Sequence, residues 1–256
     1  MSSQDNSGTF WDHLDELRSV IIRVLLVTAI FAVLAFSFKE LLFDLVLAPS
    51  QGSFITYRLL GIPDFQLHLM NTGLTEQFLI HMKVALYSGL LLASPYVIYQ
   101  LFGFVAPALY DNERRPAVRV VTASYVMFVL GTAVNYLLVF PLTVRFLGTY
   151  QVSPDVSNML TIQSYADTLI SMSLVLGIVF ELPVVSWLLA LMGILKWHQM
   201  SRFRKHAIIV ILMVAAIITP TTDAFTLFVV ALPIWLLYEL SILIVRITNT
   251  TKKNEK

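Results

Sequence analysis

The sequence predicts an all-α protein that crosses a membrane several times. Of its 256 residues, 57% are hydrophobic and 13% are charged, and its mean hydropathy is +0.78. A soluble domain carries about 25% charged residues, roughly twice this fraction. Long apolar stretches recur along the chain, several of them close to the ~20 residues that cross a bilayer. Such segments form helices, because lipid offers no partners to backbone N–H and C=O groups.

Six apolar segments define the predicted spans, and together they suggest one membrane domain covering residues 1–256. The fifth segment has only 12 residues, about 18 Å of helix against a hydrocarbon core of about 30 Å, so a re-entrant turn is an alternative to a full span. Its flanks are basic and the turn at 219–223 is not, which favours a hairpin that crosses and returns. The predicted bounds are about 20–38, 79–101, 118–140, 168–192, 207–218 and 224–245, with external loops at about 40–75 and 142–167.

The distribution of basic residues predicts the orientation. With six spans, 13 of the 17 Lys and Arg residues fall on one side. Cytoplasmic loops are enriched in Lys and Arg, so both termini are expected in the cytoplasm. A cleaved signal peptide is an alternative for the first segment, but acids precede that segment and its apolar core is too long.

Composition and motif searches exclude several functions. A net charge of +1 provides no strong field for nucleic acid. The absence of cysteine excludes disulfides, thiolate metal sites and a cysteine nucleophile. The sequence has no phosphate-binding GK[ST] loop, no G-x-S-x-G and no H-E-x-x-H, and its five histidines show no ligand spacing. We therefore expect no catalytic residue, no metal and no cofactor.

Glu181 is the only charged side chain between Thr168 and Leu195. An ionised carboxylate within a span costs at least a few kcal/mol, so such acids usually face a protein interior or a water-filled cavity and mark functional sites. Exposure to lipid and pairing with Lys83 are the alternatives. Other acids near span ends have simpler explanations: an N-cap for Asp223, and snorkelling or pairing with Arg246 for Glu239.

Two polar motifs lie on the predicted cytoplasmic side. The first, residues 10–18, combines acids with Leu14 and Leu17 at helical spacing, so it either starts a helix or forms an acidic patch for a basic ligand. The second, residues 104–115, ends in Glu113-Arg114-Arg115. A topogenic basic loop explains its arginines but leaves Glu113 unexplained.

In order along the chain, these motifs resemble the TatC family, the polytopic core subunits of the twin-arginine protein translocase. Residues 13–18 resemble that family's H-L-x-E-L-R motif, and residues 94–100 its S-P-x-x-x-Y-Q motif. Residues 104–115 resemble F-x-x-P-x-L-Y-x-x-E-R-R. Ala48-Pro49, F-E-x-P at 180–183 and T-P-x-x-D at 219–223 complete a resemblance that covers essentially the whole chain.

The resemblance implies six helices in a cupped shape, with the last two helices short and both termini cytoplasmic. It implies that the chain binds twin-arginine signal peptides in the inner membrane and, with small single-span TatA-like and TatB-like partners in homo- and hetero-oligomers, transports folded proteins using the proton motive force. Carboxylates bind guanidinium groups bidentately, so Glu16 and Glu113 are the expected ligands of the arginine pair. The remaining expected site residues are Arg18, Phe104 and Arg114 at the peptide, Glu181 at a partner helix within the membrane, and the structural motif residues Pro49, Pro95, Pro107, Pro183, Pro220 and Asp223.

Two other classes compete with this interpretation. A secondary transporter would use Glu181 to bind a proton or a small cation, but such folds usually show internal repeats and paired broken helices, and the sequence shows no repeat. A membrane scaffold without a transport role is the third class. Crosslinking to a signal peptide separates the first interpretation from the other two.

Overall fold

A computed structural model describes the chain at residues 8–63, 65, 67–105, 114–151, 153, 159–219 and 223–254. For residues 8–13, 105, 114–117 and 251–254 it describes the backbone alone. Pro107, Glu113 and Pro220 lie outside the described residues, and Arg114 is described only as the first residue of a helix.

The described residues are predominantly helical, as the composition predicts. They also include a 3₁₀ helix (Ala48–Ser50), a π turn (Asn135–Val139) and two short strands, β1 (Leu69–Met70) and β2 (Leu160–Thr161), which pair in parallel. The helices are α1 (Gly8–Ser37), α2 (Lys39–Leu47), α3 (Ile55–Leu59), α4 (Glu76–Val105), α5 (Arg114–Val134), α6 (Phe140–Thr149), α7 (Ile162–Val179), α8 (Leu182–Leu191), α9 (Trp197–Arg202), α10 (Arg204–Ile218) and α11 (Ala224–Asn254).

Five segments of the described chain are long and apolar enough to cross a membrane. The fifth predicted span corresponds to α10, whose 15 residues measure about 22 Å. Its crossing therefore remains a prediction. The five qualifying segments are Leu14–Ser37, Glu76–Phe104, Val118–Thr149, Ile162–Leu191 and Ala224–Thr250.

The expectation that both final helices are short is wrong for α11, which has 31 residues. The apolar run ends near residue 245, but no Pro or Gly follows it, so the polar tail continues the same helix. The hydroxyls of Thr248 and Thr250 donate to carbonyls one turn earlier, at 2.9 Å each.

The third predicted span also ends later than expected. Pro141 does not stop this helix at residue 140. Instead the chain widens into the π turn and continues as α6 to Thr149. In the π turn the Phe140 N–H bonds to the Asn135 carbonyl, five residues back. Such π turns are rare and occur mostly as single wide turns within an α-helix, as here.

The chain divides into two compact units: residues 1–39 with 81–125, and residues 40–80 with 126–256. In the first unit, α1 and α4 approach closely. A Cβ atom added to Gly89 would lie 2.5 Å from the Ala32 backbone nitrogen. Such close backbone approach between spans is the usual function of small residues. The Phe36 and His81 rings stack nearby, with centroids 3.9 Å apart.

The second unit contains the larger core, formed by side chains of α6, α7, α10, α11 and the π turn. Within it α5 and α7 pack through a reciprocal pair of contacts. A Cβ on Gly131 would lie 2.7 Å from Phe180 Cγ, and a Cβ on Gly177 would lie 2.7 Å from Phe128 Cε2. Each phenylalanine thus occupies the space that the opposite glycine leaves open, which fixes how the two helices align.

Candidate functional site

Glu16 and Arg18 lie in the part of α1 that is predicted to be on the cytoplasmic side of the membrane. Both side chains are exposed. On the same stretch Leu17 is half-buried and Val20 is 6% exposed, so the helix packs through these positions. Since α1 begins at Gly8, Glu16 lies about two turns inside the helix. It is therefore too far along the helix to cap its N-terminus.

Phe104, in the last turn of α4, is half-buried. One turn earlier, Gln100 Nε2 donates to the Tyr96 hydroxyl at 2.7 Å. Phe104 and Glu16 belong to the same compact unit. Three of the predicted peptide-binding side chains, Glu16, Arg18 and Phe104, therefore lie in one unit. Residues 106–113 of the second motif lie outside the described residues.

Glu181 lies where one apolar segment is interrupted. Residues 162–191 qualify as a single span, yet the helix breaks at Phe180 and Glu181, between α7 and α8. Pro183 accounts for the break, because it has no N–H to donate to the Val179 carbonyl. The result places the Glu181 carboxylate at the N-terminus of α8, where the helix dipole favours negative charge.

Both carboxylate oxygens of Glu181 are shielded from solvent by the protein. This geometry disfavours the alternative in which the carboxylate faces lipid. The α5–α7 packing holds the break in place, since Phe180 is 3% exposed and fills the space beside Gly131. Ser173 lies in α7 about two turns before the break. Its Oγ accepts a hydrogen bond from the side-chain amide of Asn135 at 2.7 Å, and both residues are buried.

The outer surface beside Glu181 is apolar. Ile178, Leu182 and Val185 are 64%, 40% and 43% exposed. Their spacing of four and three residues places them on one side of the broken helix. The exposed surface at the break is therefore apolar, while the carboxylate oxygens of Glu181 are shielded by the protein.

Two other acids have structural partners. Asp223 Oδ1 accepts from the Thr226 N–H at 2.8 Å, so Asp223 caps α11 as predicted. For Glu239, the alternative of pairing with Arg246 is wrong: its carboxylate pairs with Arg204 at 2.8 Å. Arg246 instead lies over the Trp197 ring, 5.3 Å from its centroid. Arg204 begins α10, whose position beside α11 the sequence pattern could not define.

Sequence reasoning missed a set of hydroxyl groups that tie the first long loop to the helices. Tyr136 donates to the Leu45 carbonyl at 2.7 Å and Tyr165 to the Val46 carbonyl at 2.8 Å. The Tyr57 hydroxyl lies 2.8 Å from the Pro49 carbonyl and 2.9 Å from that of Pro141. Pro49, a predicted motif residue, is thus buried as a hydrogen-bond acceptor. No local pattern signals these contacts, because their partners are far apart in sequence.

Hydroxyls also serve carbonyls that prolines leave without a helical donor. Ser94 Oγ donates to the Leu91 carbonyl at 2.7 Å, and Leu91 is the residue that the N–H of Pro95 would serve in a regular helix. Thr56 Oγ1 donates in the same way to the Leu137 carbonyl, four residues before Pro141. The hydrogen bond from Ser94 explains how α4 continues through Pro95 without a break.

Together the apolar segments, the broken span and the polar groups near it define a polytopic helical membrane protein. Residues 12–233 match the family described as Sec-independent protein translocase protein (TatC). The chain belongs to the TatC family.

Relatives and solved structures cover nearly the whole chain. The TatC protein of Koribacter versatilis (strain Ellin345) is 37% identical over 250 residues, 96% of this chain and 89% of that protein. The TatC protein of Desulforapulum autotrophicum is 33% identical over all of this chain and 91% of its own length. A crystal structure of the twin arginine translocase receptor TatC superposes with a TM-score of 0.77 at 30% identity, covering 92% of this chain and 99% of that one.

Proposed function

We propose that this chain is the signal-peptide receptor and core subunit of a Sec-independent translocase, which moves folded proteins bearing twin-arginine signal peptides across a membrane using the proton motive force. The observation that carries the proposal is the match to a solved TatC receptor along 92% of the chain. A family match over residues 12–233 supports it. The chain acts as a transport component and not as an enzyme.

Recognition of the arginine pair rests on Glu16 and Glu113. The exposure of Glu16 two turns inside α1 supports this assignment, because a carboxylate at the protein surface can be reached by an arginine of a peptide and can bind its guanidinium group. Arg18, exposed two residues later, would orient the acid, and Arg114 would do the same for Glu113. Phe104 would contact the apolar part of the bound peptide.

Partner helices are proposed to dock beside Glu181. A TatA-like or TatB-like single-span helix would lie along the ridge of Ile178, Leu182 and Val185. Glu181 would then present a polar contact from within the protein at the N-terminus of α8. The complete complex would contain several copies of each chain.

The proposed location is the inner membrane, with both termini in the cytoplasm. The Lys and Arg distribution supports this orientation. It requires α10 to cross, which 15 residues achieve only where the bilayer is locally thin or where flanking residues snorkel.

Complementation tests the proposal directly. Cells that lack their own TatC would receive this chain together with the TatA-like and TatB-like proteins of its source organism. We expect export of a folded reporter with a twin-arginine signal peptide, and no export when the two arginines are replaced by lysines. Failure to export the reporter despite normal membrane insertion would contradict the proposed function.

The broken span supports one competing function, an ion-coupled secondary transporter. Discontinuous helices with a half-helix N-terminus near a charged group are typical of such transporters, and α7 and α8 have this arrangement around Glu181. Ion-driven solute uptake by the purified chain in proteoliposomes, abolished by Glu181→Gln, would favour this function over protein translocation.

A further inference from the structure

Helix α3 carries an apolar face that no described part of the chain covers. Ile55, Leu59 and Leu60 are 57%, 81% and 53% exposed, whereas Thr56 and Tyr57 on the opposite side are buried. Ile55 and Leu59 are four residues apart and so form one ridge. Contiguous exposed apolar side chains of this kind mark an interaction surface.

The position of α3 relative to the spans is fixed by hydrogen bonds. Thr56 donates to the Leu137 carbonyl, and the Tyr57 hydroxyl lies 2.9 Å from that of Pro141. Both acceptors belong to the membrane-crossing segment Val118–Thr149. Leu137 and Leu138 are themselves 45% and 42% exposed. The apolar face of α3 therefore adjoins the lipid-facing surface of that span.

Helix α3 cannot turn inward to hide this face. Tyr57 is completely buried, and its ring packs edge-on against Phe54 and Phe65, with centroids 6.1 Å and 4.8 Å away. Phe54 also meets the Tyr136 ring edge-on at 5.5 Å. These contacts occupy the inner side of the helix, so the outer side must be covered by something other than this unit.

The one charged residue of α3 fits a lipid surface. Arg58 is exposed between Ile55 and Leu59. An arginine in this position can lay its apolar stem along the hydrocarbon boundary and direct its guanidinium group to lipid phosphates. Apolar side chains that enter the acyl boundary and a basic group that reaches the headgroups are the two features by which a helix binds in a membrane interface.

We propose that α3 is an interfacial anchor. Ile55, Leu59 and Leu60 lie at the boundary between headgroups and acyl chains, and Arg58 contacts the phosphates. The hydroxyl contacts of Thr56 and Tyr57 hold the anchor at this depth, and with it the first long loop. This function is independent of the translocated substrate and goes beyond signal-peptide recognition.

The test uses single cysteines, which need no background removal because the chain has no cysteine. Leu59→Cys and, as a second variant, Ile55→Cys are labelled with an NBD fluorophore and reconstituted in phosphatidylcholine vesicles with or without brominated acyl chains. Leu138→Cys, within the span Val118–Thr149, is the control for lipid contact. Ser53→Cys, an exposed polar position two residues before α3, is the control for water contact.

We expect brominated lipid to quench the labels at 59 and 55 nearly as strongly as the label at 138, and to leave the label at 53 almost unchanged. Quenching at 59 and 55 that does not exceed the value at 53 overturns the proposal. Blue-shifted emission at 59 without quenching also overturns it, because this combination means that protein and not lipid covers the face.

Discussion

The hydroxyl of Thr56 donates a hydrogen bond to the backbone carbonyl of Leu137, a residue 81 positions away. In a regular helix that carbonyl would accept from residue 141, but residue 141 is proline and has no N–H. A side chain of the first long loop therefore provides the donor that the span lacks. The effects of substitutions at positions 56 and 141 on stability should for this reason depend on each other.

This coupling predicts the outcome of a double-mutant cycle. Thr56→Val leaves the Leu137 carbonyl without its donor and should lower the free energy of unfolding by about 1–3 kcal/mol, whereas Thr56→Ser should lower it less. Pro141→Ala restores a backbone N–H near that carbonyl, so Thr56→Val should cost less in this background. The apparent melting temperature of each variant in detergent reports its stability relative to the wild type. An equal cost of Thr56→Val in both backgrounds contradicts the coupling.

Stability should also depend on pH through Tyr57. Burial raises the pKa of its hydroxyl well above the ordinary value of 10.0. A raised pKa in the folded state means that the stabilisation is complete below pH ~10 and is lost as the pH rises above it. The stability difference between wild type and Tyr57→Phe should therefore shrink above pH ~10. Denaturant unfolding at several pH values measures it, and a pH-independent difference contradicts the assignment.

The Gly131–Phe180 contact predicts a position-specific effect of alanine. Gly131→Ala places a Cβ where Phe180 Cγ would lie 2.7 Å away, so α7 must shift and the break at Glu181 must move with it. Overpacking of this kind usually costs about 1–3 kcal/mol. Gly103→Ala in α4 is the matched control, because a Cβ there has no neighbour within 4 Å. The melting temperature should fall for Gly131→Ala and not for Gly103→Ala. A similar fall for both variants would show that the contact with Phe180 is not the cause.

Partner docking beside Glu181 predicts a pattern of disulfides. Cysteines at 178, 182 and 185, each in the otherwise cysteine-free chain, should form disulfides with cysteines scanned along a TatA-like or TatB-like helix. Val33, 69% exposed on α1, provides a control position on another span. Adducts that form as readily at 33 as at the other three positions, or at none of them while the partner still copurifies, exclude the ridge as the docking surface.

Local patterns predicted the helical fold class, the five long apolar helices and the family. Apolar run length, charge distribution and the ordered motifs depend only on residues near each other, and all appear in the sequence. The Asp223 cap was predictable for the same reason. The break at Phe180 and Glu181 follows from Pro183, although its position one turn before the proline needed the structure.

Contacts between distant residues were not predictable. Glu239 pairs with Arg204 and not Arg246 because α10 packs beside α11, which charge spacing along one helix does not indicate. The hydroxyls of Thr56, Tyr57, Tyr136 and Tyr165 find their acceptors across the fold. The length of α11 was underestimated because hydropathy reports where lipid ends and not where a helix ends.

Twin-arginine signal peptides are proposed to bind this chain through carboxylates on its cytoplasmic side. Photo-crosslinking of a purified signal peptide to the chain in proteoliposomes tests this binding. We expect a crosslink that is lost when the two arginines become lysines, and that falls about tenfold or more in Glu16→Gln and Glu113→Arg, since charged hydrogen bonds contribute about 1.5–3 kcal/mol each. Equal crosslinking of both peptides, or undiminished crosslinking in both variants, would rule out recognition of the arginine pair by these carboxylates.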